Sequence, residues 1–285
     1  MSERPAIRRI GFAYNPTSEA ALELRERVSG WCDVRGFAHW AAPAGATADL
    51  VAALEDTDLL VVLGGDGTLL LAAQAVAIVS VPILGVNLGK VGFLSQVEAD
   101  EVEAVLERVV RGEFRVEARM ALRGAIHPGG RRAESWRFMA LNDVVVARGA
   151  LARVVRLQVS IGRSHLATFI ADGLVVSSPT GSTGYSFSAG GPVVDPSSRN
   201  LIVTPIAGYL SAIRSVVVSP RRVVRIEVLQ AHEALVSIDG REDRSVVSGD
   251  VVSVAALERS IRFVVPDGAM PFWDLVRRKV ELLPS

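Results

Sequence analysis

The first third of the chain alternates short apolar runs with segments whose apolar residues recur at helical spacing. Uninterrupted apolar runs such as residues 59–63 and 83–86 are typical of strands buried on both faces. The predicted elements are, in order, a strand at 7–15, a helix capped by Thr17 or Ser18 with Ala21, Leu24, Val28 and Trp31 on one face, a strand at 37–40, a helix at 48–54, a strand at 59–63, a helix from Thr68, a strand at 83–86 and a helix at 98–110. This order predicts a Rossmann-like parallel sheet covered by helices.

From Phe114 the apolar residues alternate with polar ones, which indicates antiparallel strands. Further strands are predicted at 136–146, 154–161, 166–176, 223–229, 235–238, 251–254 and 261–265. Helical spacing returns near the C-terminus, from Phe272 to Leu283, and we expect this helix to pack on the first domain. The predicted fold is therefore an α/β domain, residues 1–115 with 266–285, and a mostly β domain, residues 116–265.

Composition restricts the classes of partner. The 285 residues contain 31 basic and 31 acidic side chains, and the basic residues form no cluster larger than Arg277-Arg278-Lys279, so neither nucleic acid nor an anionic membrane is expected as a partner. Gln74, Ser80 and Pro82 interrupt the long apolar stretch after Leu69, which argues against a membrane span. The single Cys32 and the absence of an apolar stretch at the charged N-terminus lead us to expect a cytoplasmic enzyme.

The sequence GGDG stands where the buried strand at 59–63 meets the next predicted helix. Gly64, Gly65 and Gly67, with Thr68 behind them, would let backbone N–H groups approach phosphate oxygens at the carboxyl end of a strand. Asp66 is the one charged residue of this loop. A carboxylate beside bound phosphates is repelled by like charge, which favours proton uptake by Asp66 and suits it to act as a base. The loop therefore indicates phosphoryl transfer, although a plain strand-to-helix turn would also use these glycines.

A second loop combines hydroxyl groups, glycines and aromatic rings. Its hydroxyl groups can bind the polar edges of a nucleotide, Gly184 permits close approach, and the ring of Tyr185 can stack. The candidate residues of this loop are Thr180, Ser182, Thr183, Gly184, Tyr185, Ser186, Phe187 and Ser188. A solvated loop between strands is the simpler alternative, and a hydrolase is not indicated because G-x-S-x-G spacing is absent.

Asn142 and Asp143 precede a β-branched run, where neither side chain suits a strand interior. The Asn amide can read an adenine edge, and the carboxylate can accept hydrogen bonds from ribose hydroxyls. A turn at the end of a strand is the alternative explanation.

Taken together, the three segments resemble the NAD kinase family, whose members carry a GGDG loop, an Asn-Glu pair and a TPTGSTAY-type segment in this order. Residues 87–94 and 237–240 also match family-like stretches, so the resemblance covers most of the chain. It implies transfer of a phosphoryl group from ATP, or in some members polyphosphate, to the 2′-hydroxyl of the adenosine ribose of NAD, which gives NADP.

The resemblance also implies roles for individual residues. Asp66 would be the base, Asn142 and Asp143 would hold the adenosine, the 183–188 segment would line the same pocket, and Asp172 would face the nicotinamide end. Mg²⁺, or another divalent cation, would accompany ATP and offset phosphate charge, with no metal site formed by the protein alone. A homodimer or homotetramer through the β domain is expected.

Five departures from the family pattern concern the ligand shell. Asp143 replaces a commoner Glu, Gly184 an Ala, Leu71 an Arg and Arg241 a Gln, and residues 204–215 lack the usual Pro-His pair. Arg153 or Lys90 could supply the missing donors to NAD. The departures leave open a non-catalytic sensor that binds NAD or NADP, and the GGDG loop, which lipid kinases share, leaves open a lipid kinase of the diacylglycerol or sphingoid type.

Overall fold

The computed structural model describes residues 7–89, 92–95, 97–131, 135–149, 154–208, 213–231 and 233–281. The chain divides into two compact units, Met1–Ala118 with Ile261–Ser285, and Arg119–Ser260. Lys90 and Arg153, which we considered as donors to the ligand, lie outside the described residues.

The chain begins with an alternation of strands and helices. These elements are β1 (Arg9–Tyr14), α1 (Glu19–Arg35), β2 (Ala38–Pro43), α2 (Thr47–Leu54), β3 (Leu59–Leu63), α3 (Asp66–Val79), β4 (Ile83–Asn87), β5 (Val97–Glu98), α4 (Val102–Val110) and β6 (Phe114–Arg119). The later elements are mostly strands. They are β7 (Leu122–His127), β8 (Trp136–Ala140), β9 (Asp143–Arg148), β10 (Val155–Ile161), β11 (Ser164–Ala171), β12 (Gly173–Ser177), α5 (Tyr185–Ser188), β13 (Leu201–Ile206), β14 (Val216–Val218), β15 (Val223–Gln230), β16 (Ala234–Ile238), β17 (Glu242–Val246), β18 (Val251–Ala256), β19 (Ile261–Pro266) and α6 (Phe272–Glu281).

The first unit contains a seven-stranded sheet in the order β2-β1-β3-β4-β19-β6, with β5 beside β4. The pairs β1–β2, β1–β3 and β3–β4 are parallel, and every residue of β3 and β4 is buried, as their apolar runs predict. Ser18 caps α1 by accepting a hydrogen bond from the N–H of Ala21, and Gly36 ends this helix in the left-handed region, with φ of 74°. The predicted α/β architecture is confirmed.

Three elements differ from the sequence-based prediction in place or extent. Strand β19 joins the sheet of the first unit beside β4, and β6 lies beside β19, whereas we expected the antiparallel part to begin at Phe114 and to include residues 261–265. Alternation of polar and apolar residues identifies a half-exposed strand but does not say which sheet it joins. Helix α4 begins at Val102 rather than Glu98, because Val97–Glu98 pairs with β4 as β5.

The second unit contains two six-stranded antiparallel sheets. Their orders are β11-β10-β15-β18-β7-β8 and β14-β13-β12-β9-β16-β17, and one hydrophobic core includes residues of both. The predicted strands at 136–146 and 166–176 are each two strands that join different sheets, so the predictions of single strands were wrong. The breaks fall at Leu141–Asn142 and at Asp172, where polar side chains mark the passage of the chain between sheets. Two predicted site positions therefore lie at corners of the fold.

Helix α6 belongs to the first unit, as we expected for the C-terminal helix. Leu275 is buried, and the ring of Phe272 lies 6.2 Å from that of Phe93. Lys279 Nζ lies 4.4 Å above the same ring of Phe93. In the described part of the chain, no helix is long and apolar enough to cross a membrane.

Candidate active site

The GGDG turn connects β3 to α3. The N–H of Gly64 donates to the carbonyl of Val86 at 3.0 Å, so it belongs to the sheet and is not available to a phosphate as we expected. A Cβ at Gly64 would lie 2.3 Å from Thr68 Oγ1, and this close packing explains why glycine is needed there. Gly65 is the N-cap of α3, and its carbonyl accepts the N–H groups of Thr68 and Leu69.

The first turn of α3 leaves the N–H groups of Asp66 and Gly67 without acceptors inside the helix. Such N–H groups, together with the positive end of the helix dipole, favour a negatively charged group nearby. The phosphate-binding capacity of the turn therefore resides in Asp66 and Gly67, with Gly65 beside them, rather than in Gly64 or Thr68.

The carboxylate of Asp66 is held by the backbone of residues 93–95. Oδ1 accepts the N–H groups of Leu94 and Ser95, each at 3.1 Å, and the hydroxyl of Ser95 at 3.0 Å. Oδ2 accepts the N–H of Phe93 at 2.8 Å. Because a carboxylate oxygen has two lone pairs, Oδ2 keeps capacity for one more donor, whereas Oδ1 is fully used.

Gly92 and Ser95 are functional candidates that we did not assign from the sequence. A Cβ at Gly92 would lie 1.9 Å from Asp66 Oδ1, so only glycine permits this approach of the backbone to the carboxylate. The signal was the match of residues 87–94 to a family-like stretch, which carried no stated role. Within that stretch Phe93 and Leu94 hold Asp66, and Ser95, which also binds it, follows directly after the stretch.

In the second unit, three strand ends meet at one end of a sheet. Asp143 begins β9 opposite Ser177, the last residue of β12, and Val144 pairs with Ile238, the last residue of β16. The segment that precedes β9 and the segments that follow β12 and β16 therefore lie side by side. They contain most of the residues that we expected to bind NAD.

Asp239 connects these segments and was missed by the sequence analysis. Its carboxylate accepts the backbone N–H groups of Leu141 at 2.9 Å, Asn142 at 2.7 Å and Asp143 at 3.1 Å, and its own N–H donates to the carbonyl of Asp143 at 3.0 Å. Asp239 adopts a left-handed conformation with φ of 51°, which aspartate tolerates better than most residues. We noted the stretch 237–240 but gave its carboxylate no role.

Asp143 is buried, and its environment disfavours the charged carboxylate. Burial, and then the charge of Asp239, raise the pKa of Asp143 to about 7. Burial also raises the pKa of Asp239, while the backbone hydrogen bonds from residues 141–143 and the charge of Arg241 oppose that increase. Each ionised carboxylate therefore disfavours ionisation of the other, and Asp239, which accepts more hydrogen bonds, stays ionised more readily than Asp143.

The hydroxyl-rich loop packs on the backbone of Asn142. Ser178 donates from Oγ to the carbonyl of Leu141 at 2.6 Å and from its N–H to the carbonyl of Asn142 at 2.8 Å. A Cβ at Gly181 would lie 2.1 Å from the carbonyl oxygen of Asn142, so this contact requires glycine. Gly184 stands near Asp143, since its Cβ position is 3.7 Å from Asp143 Oδ2.

Several hydroxyl groups of this loop stabilise the loop itself. Ser182 Oγ donates to the carbonyl of Pro179 at 2.7 Å and accepts the N–H of Val194 at 3.0 Å. Thr183 Oγ1 donates to the carbonyl of Thr180 at 3.4 Å, and Ser186 Oγ lies 3.3 Å from Thr204 Oγ1. The hydroxyl groups of Ser182 and Ser186 are thus occupied within the protein and buried, rather than presented to a ligand as we expected.

Other polar atoms at this end of the sheet are buried without a partner in the described chain. They include Asn142 Oδ1, Thr180 Oγ1 and Ser177 Oγ. A buried polar atom without a hydrogen bond costs about 1–3 kcal/mol, so such atoms in a native protein call for a partner. Tyr185 and Phe187 are about half exposed, and Ser188 is exposed.

Arg241 follows β16 near the meeting strand ends, whereas Asp172 precedes β12 and lies at the opposite end of that strand from Ser177. The carboxylate of Asp172 pairs with Arg148 through two contacts, at 2.8 Å and 3.2 Å. Arg241 is exposed. Among the described residues, no group of three His, Cys, Asp or Glu side chains could hold a metal ion.

Two family models cover most of the chain. The ATP-NAD kinase N-terminal domain matches residues 10–114, and the ATP-NAD kinase C-terminal domain matches residues 141–265. The chain belongs to the NAD kinase family. It is a kinase, a phosphotransferase, and these matches do not favour a lipid kinase or a non-catalytic sensor.

Relatives within the NAD kinase family are similar over nearly the full length. A protein of Heliobacterium modesticaldum named NAD kinase is 38% identical over 281 residues, which cover 95% of this chain and 98% of the relative. A NAD kinase of Geotalea daltonii is 41% identical over 228 residues, 80% of this chain and 79% of the relative.

Solved structures of the same family have the same fold. The yeast NADH kinase complexed with NADH has a TM-score of 0.80 at 25% identity, covering 98% of this chain and 88% of that one. The NAD kinase from Archaeoglobus fulgidus in complex with ATP has a TM-score of 0.76 at 24% identity, covering 97% of this chain and all of that one, and supports the fold alone.

Proposed function

We propose that the chain transfers the γ-phosphoryl group of ATP, or of polyphosphate as an alternative donor, to the 2′-hydroxyl of the adenosine ribose of NAD, giving NADP. The observation that carries this proposal is the carboxylate of Asp66 at the N-terminus of α3. Its Oδ2 accepts the N–H of Phe93 and keeps one lone pair for a further donor. The name NAD kinase of the relatives supports NAD as the acceptor, and the match to the ATP-NAD kinase family models supports ATP as the donor.

Asp66 is proposed to be the general base. As the 2′-oxygen bonds to the γ-phosphorus, the bond from that phosphorus to the β,γ-bridging oxygen breaks, ADP leaves, and the hydroxyl proton passes to Asp66 Oδ2. The hydrogen bonds to Oδ1 from Leu94 and Ser95 orient the carboxylate during this transfer. The N–H groups at the start of α3 would bind phosphate oxygens.

The second unit is proposed to bind the dinucleotide. Asn142 Oδ1 and Thr180 Oγ1, both buried without a partner in the described chain, would pair with the polar edges of the adenosine. Asp143 would bind ribose hydroxyls, and the exposed ring of Tyr185 would pack on the dinucleotide. Asp172 is assigned to the nicotinamide end, with Arg153 and Arg241 as further NAD-binding residues.

Mg²⁺ is proposed to arrive with ATP. Mg²⁺ prefers phosphate and water oxygens with one or two carboxylates, and the described residues offer no site built from three protein ligands. The residues therefore fit an ion carried by the nucleotide, which would neutralise phosphate charge in the transition state.

Oligomerisation and location are proposed from the strand edges of the second unit and from the single cysteine. The end strands β8, β11, β14 and β17 of the two sheets leave backbone groups open to pairing, which favours a homodimer or homotetramer through the second unit. The single, buried Cys32 suits a reducing cytoplasm. Light scattering of the purified protein and cell fractionation test the two proposals.

The function is tested by incubating purified protein with NAD, ATP and Mg²⁺ and assaying NADP with a dehydrogenase specific for the 2′-phosphate. NADH replaces NAD in one arm, polyphosphate replaces ATP in a second, and diacylglycerol replaces NAD in a third. NADP formation that needs both nucleotides supports the proposal. Binding of NAD without turnover would indicate a sensor, and phosphorylation of the lipid alone would overturn the assignment of the acceptor.

A further inference from the structure

Four adjacent strands of the second unit, β15, β18, β7 and β8, present an outer face that the proposed function does not use. On these strands, residues that alternate with the core positions point away from the hydrophobic core. The strand register places Arg225, Ser253, Ala125 and Arg137 in one row across the four strands. Arg123 lies on the same face, two positions from Ala125.

This face forms a depression of about 510 Å³. Its floor contains small residues, including Ala125, Ser253 and Ala255, and Arg123, Arg137 and Arg225 belong to its lining. The volume is that of a small-ligand site. Since Ala125 and Ala255 are 9% exposed although they point outward, the long arginine side chains cover much of the floor.

The charge of the depression is one-sided. Neither Asp nor Glu occurs among its described lining residues, and Glu227, which accepts from Gln158 Nε2 at 3.3 Å, is the only acidic residue of the four strands. Arg123 donates from Nε to the carbonyl of Ala256 at 3.2 Å. The side chains of Arg137 and Arg225 form neither an ion pair nor a hydrogen bond with any described residue.

Other arginines of this chain are paired with carboxylates. Arg148 of the second unit binds Asp172, and Arg27 of the first unit binds Glu103. The chain has a formal net charge of zero, so an overall excess of basic residues does not explain the arginines on this face. Guanidinium groups directed to one concave site are suited to anions that carry several oxygens.

We propose that this depression, the outer-face site, binds a compact multivalent anion such as a short chain of phosphates. Arg225 and Arg137 are three strand spacings apart, roughly 14 Å between backbones, so an anion with linked charges bridges them better than a single phosphate. The anion would contact the two guanidinium groups and that of Arg123, while the imidazole of His127 and the hydroxyl of Ser253 at the floor already pair with each other at 2.9 Å.

A second copy of this chain is a less suitable occupant. A two-fold interface brings the same patch of both copies together. On this face it would oppose the arginines with themselves, and like charges that lose solvent repel strongly. The outer-face site lies on the opposite side of its sheet from the core shared with the sheet that carries Asn142 and Asp143, so anion binding there is separate from the proposed NAD residues.

Isothermal titration of the full chain with inorganic tripolyphosphate tests the proposal, with orthophosphate and citrate as comparison ligands. The variants are Arg137→Ala, Arg225→Ala and the double variant, and Arg163→Ala is the matched control because Arg163 is exposed in the turn between β10 and β11, outside the depression. Thermal unfolding checks that the outward-facing substitutions leave the fold intact.

We expect wild-type protein and the control to have one more binding site for tripolyphosphate per chain than the double variant has. Each single variant should weaken that site about tenfold, since a charged hydrogen bond contributes on the order of 1.5 kcal/mol or more. Citrate binding at the same site would also support a multivalent anion. Equal affinity for orthophosphate, or an unchanged stoichiometry and affinity in the double variant, would overturn the proposal whatever the outcome of the kinase assay.

Discussion

Asp239 Oδ1 lies 2.7 Å from the backbone nitrogen of Asn142, and this contact fixes the turn that carries the proposed NAD-binding pair. The same carboxylate accepts the N–H groups of Leu141 and Asp143. Asp239 thereby acts as a positioning residue, because it orients Asn142 and Asp143 without itself belonging to the residues proposed to bind NAD. Its place at the end of β16 connects that strand to the starting point of β9.

Replacement of Asp239 by Asn should impair this turn. The amide keeps one acceptor oxygen where three N–H groups now converge, so we expect unfolding free energy to fall by about 1–3 kcal/mol. KM for NAD should rise more than kcat falls, because the chemical groups at Asp66 are unchanged. Denaturant titration and steady-state kinetics measure both effects.

The matched control is Asp243→Asn, since Asp243 is exposed on the neighbouring β17. It removes the same charge from the same unit and should leave stability and KM for NAD unchanged. Equal kinetics in Asp239→Asn and the control would show that the turn holds its shape without Asp239.

Asp143 should make stability depend on pH. Its pKa is about 7 in the folded protein, above the value near 4 of an unfolded chain, so the folded state binds more protons between these values. The contribution of Asp143 to the free energy of unfolding is therefore at its maximum below about pH 4 and is lost as pH rises to about 7. Chemical denaturation at intervals from pH 4.5 to 8 measures this decline.

Asp143→Asn provides the comparison, because the amide is nearly isosteric with a protonated carboxyl group. The variant should lack this part of the decline and should gain stability relative to wild type at pH 8. Parallel stability profiles for the two proteins would contradict the assigned environment of Asp143.

Gly181→Ala should displace the hydroxyl-rich loop from Asn142. The added Cβ would lie 2.1 Å from a backbone carbonyl oxygen, which cannot move as a flexible side chain could. We expect a loss of about 1–3 kcal/mol in stability, as for other overpacked positions, and an increased KM for NAD. Gly30→Ala is the control, since its Cβ would have no neighbour within 4 Å, and alanine should stabilise α1 by about 0.5–1 kcal/mol.

Ser95→Ala should affect the chemical step rather than the binding of NAD. The substitution removes the hydroxyl that donates to Asp66 Oδ1 at 3.0 Å but keeps the backbone N–H donors. If loss of this hydrogen bond raises the activation free energy by about 1 kcal/mol, kcat falls about fivefold. Threonine at this position restores a hydroxyl, so Ser95→Thr should recover most of the activity. Equal kcat in wild type and Ser95→Ala would show that the hydroxyl does not help to orient Asp66.

Most of the fold was predictable because its signals are local. The buried run of β3, the helical stripe of α1 and most of the alternating strands depend on neighbouring residues and were identified, whereas β14 and β17 were not predicted. The passage of the chain between sheets at Leu141–Asn142 and at Asp172 was not, because sheet membership depends on pairing with distant strands. Strand β13 was missed although its residues are largely buried, since Pro205 argues against a strand interior.

The site was predicted as a set of residues more successfully than as a set of contacts. GGDG identified Asp66, but the hydrogen bonds from residues 93–95 come from a segment 27–29 positions away. Asp239 is separated from Asn142 by 97 positions, so no local pattern could connect them. Hydroxyl groups such as that of Ser182 suggested ligand contacts in the sequence, whereas burial and internal partners give them a structural role.

The central claim is that Asp66 takes the proton of the 2′-hydroxyl, and a single-turnover measurement of Asp66→Asn tests it most directly. NADP formation is followed at saturating NAD, ATP and Mg²⁺, with NAD affinity measured separately by titration and Asp100→Asn, an exposed carboxylate of the same unit, as control. We expect the chemical step to slow by about 10²–10⁴-fold in Asp66→Asn, with little change in NAD affinity and a control like wild type. A chemical step as fast in Asp66→Asn as in the control would contradict the role of Asp66 as the base.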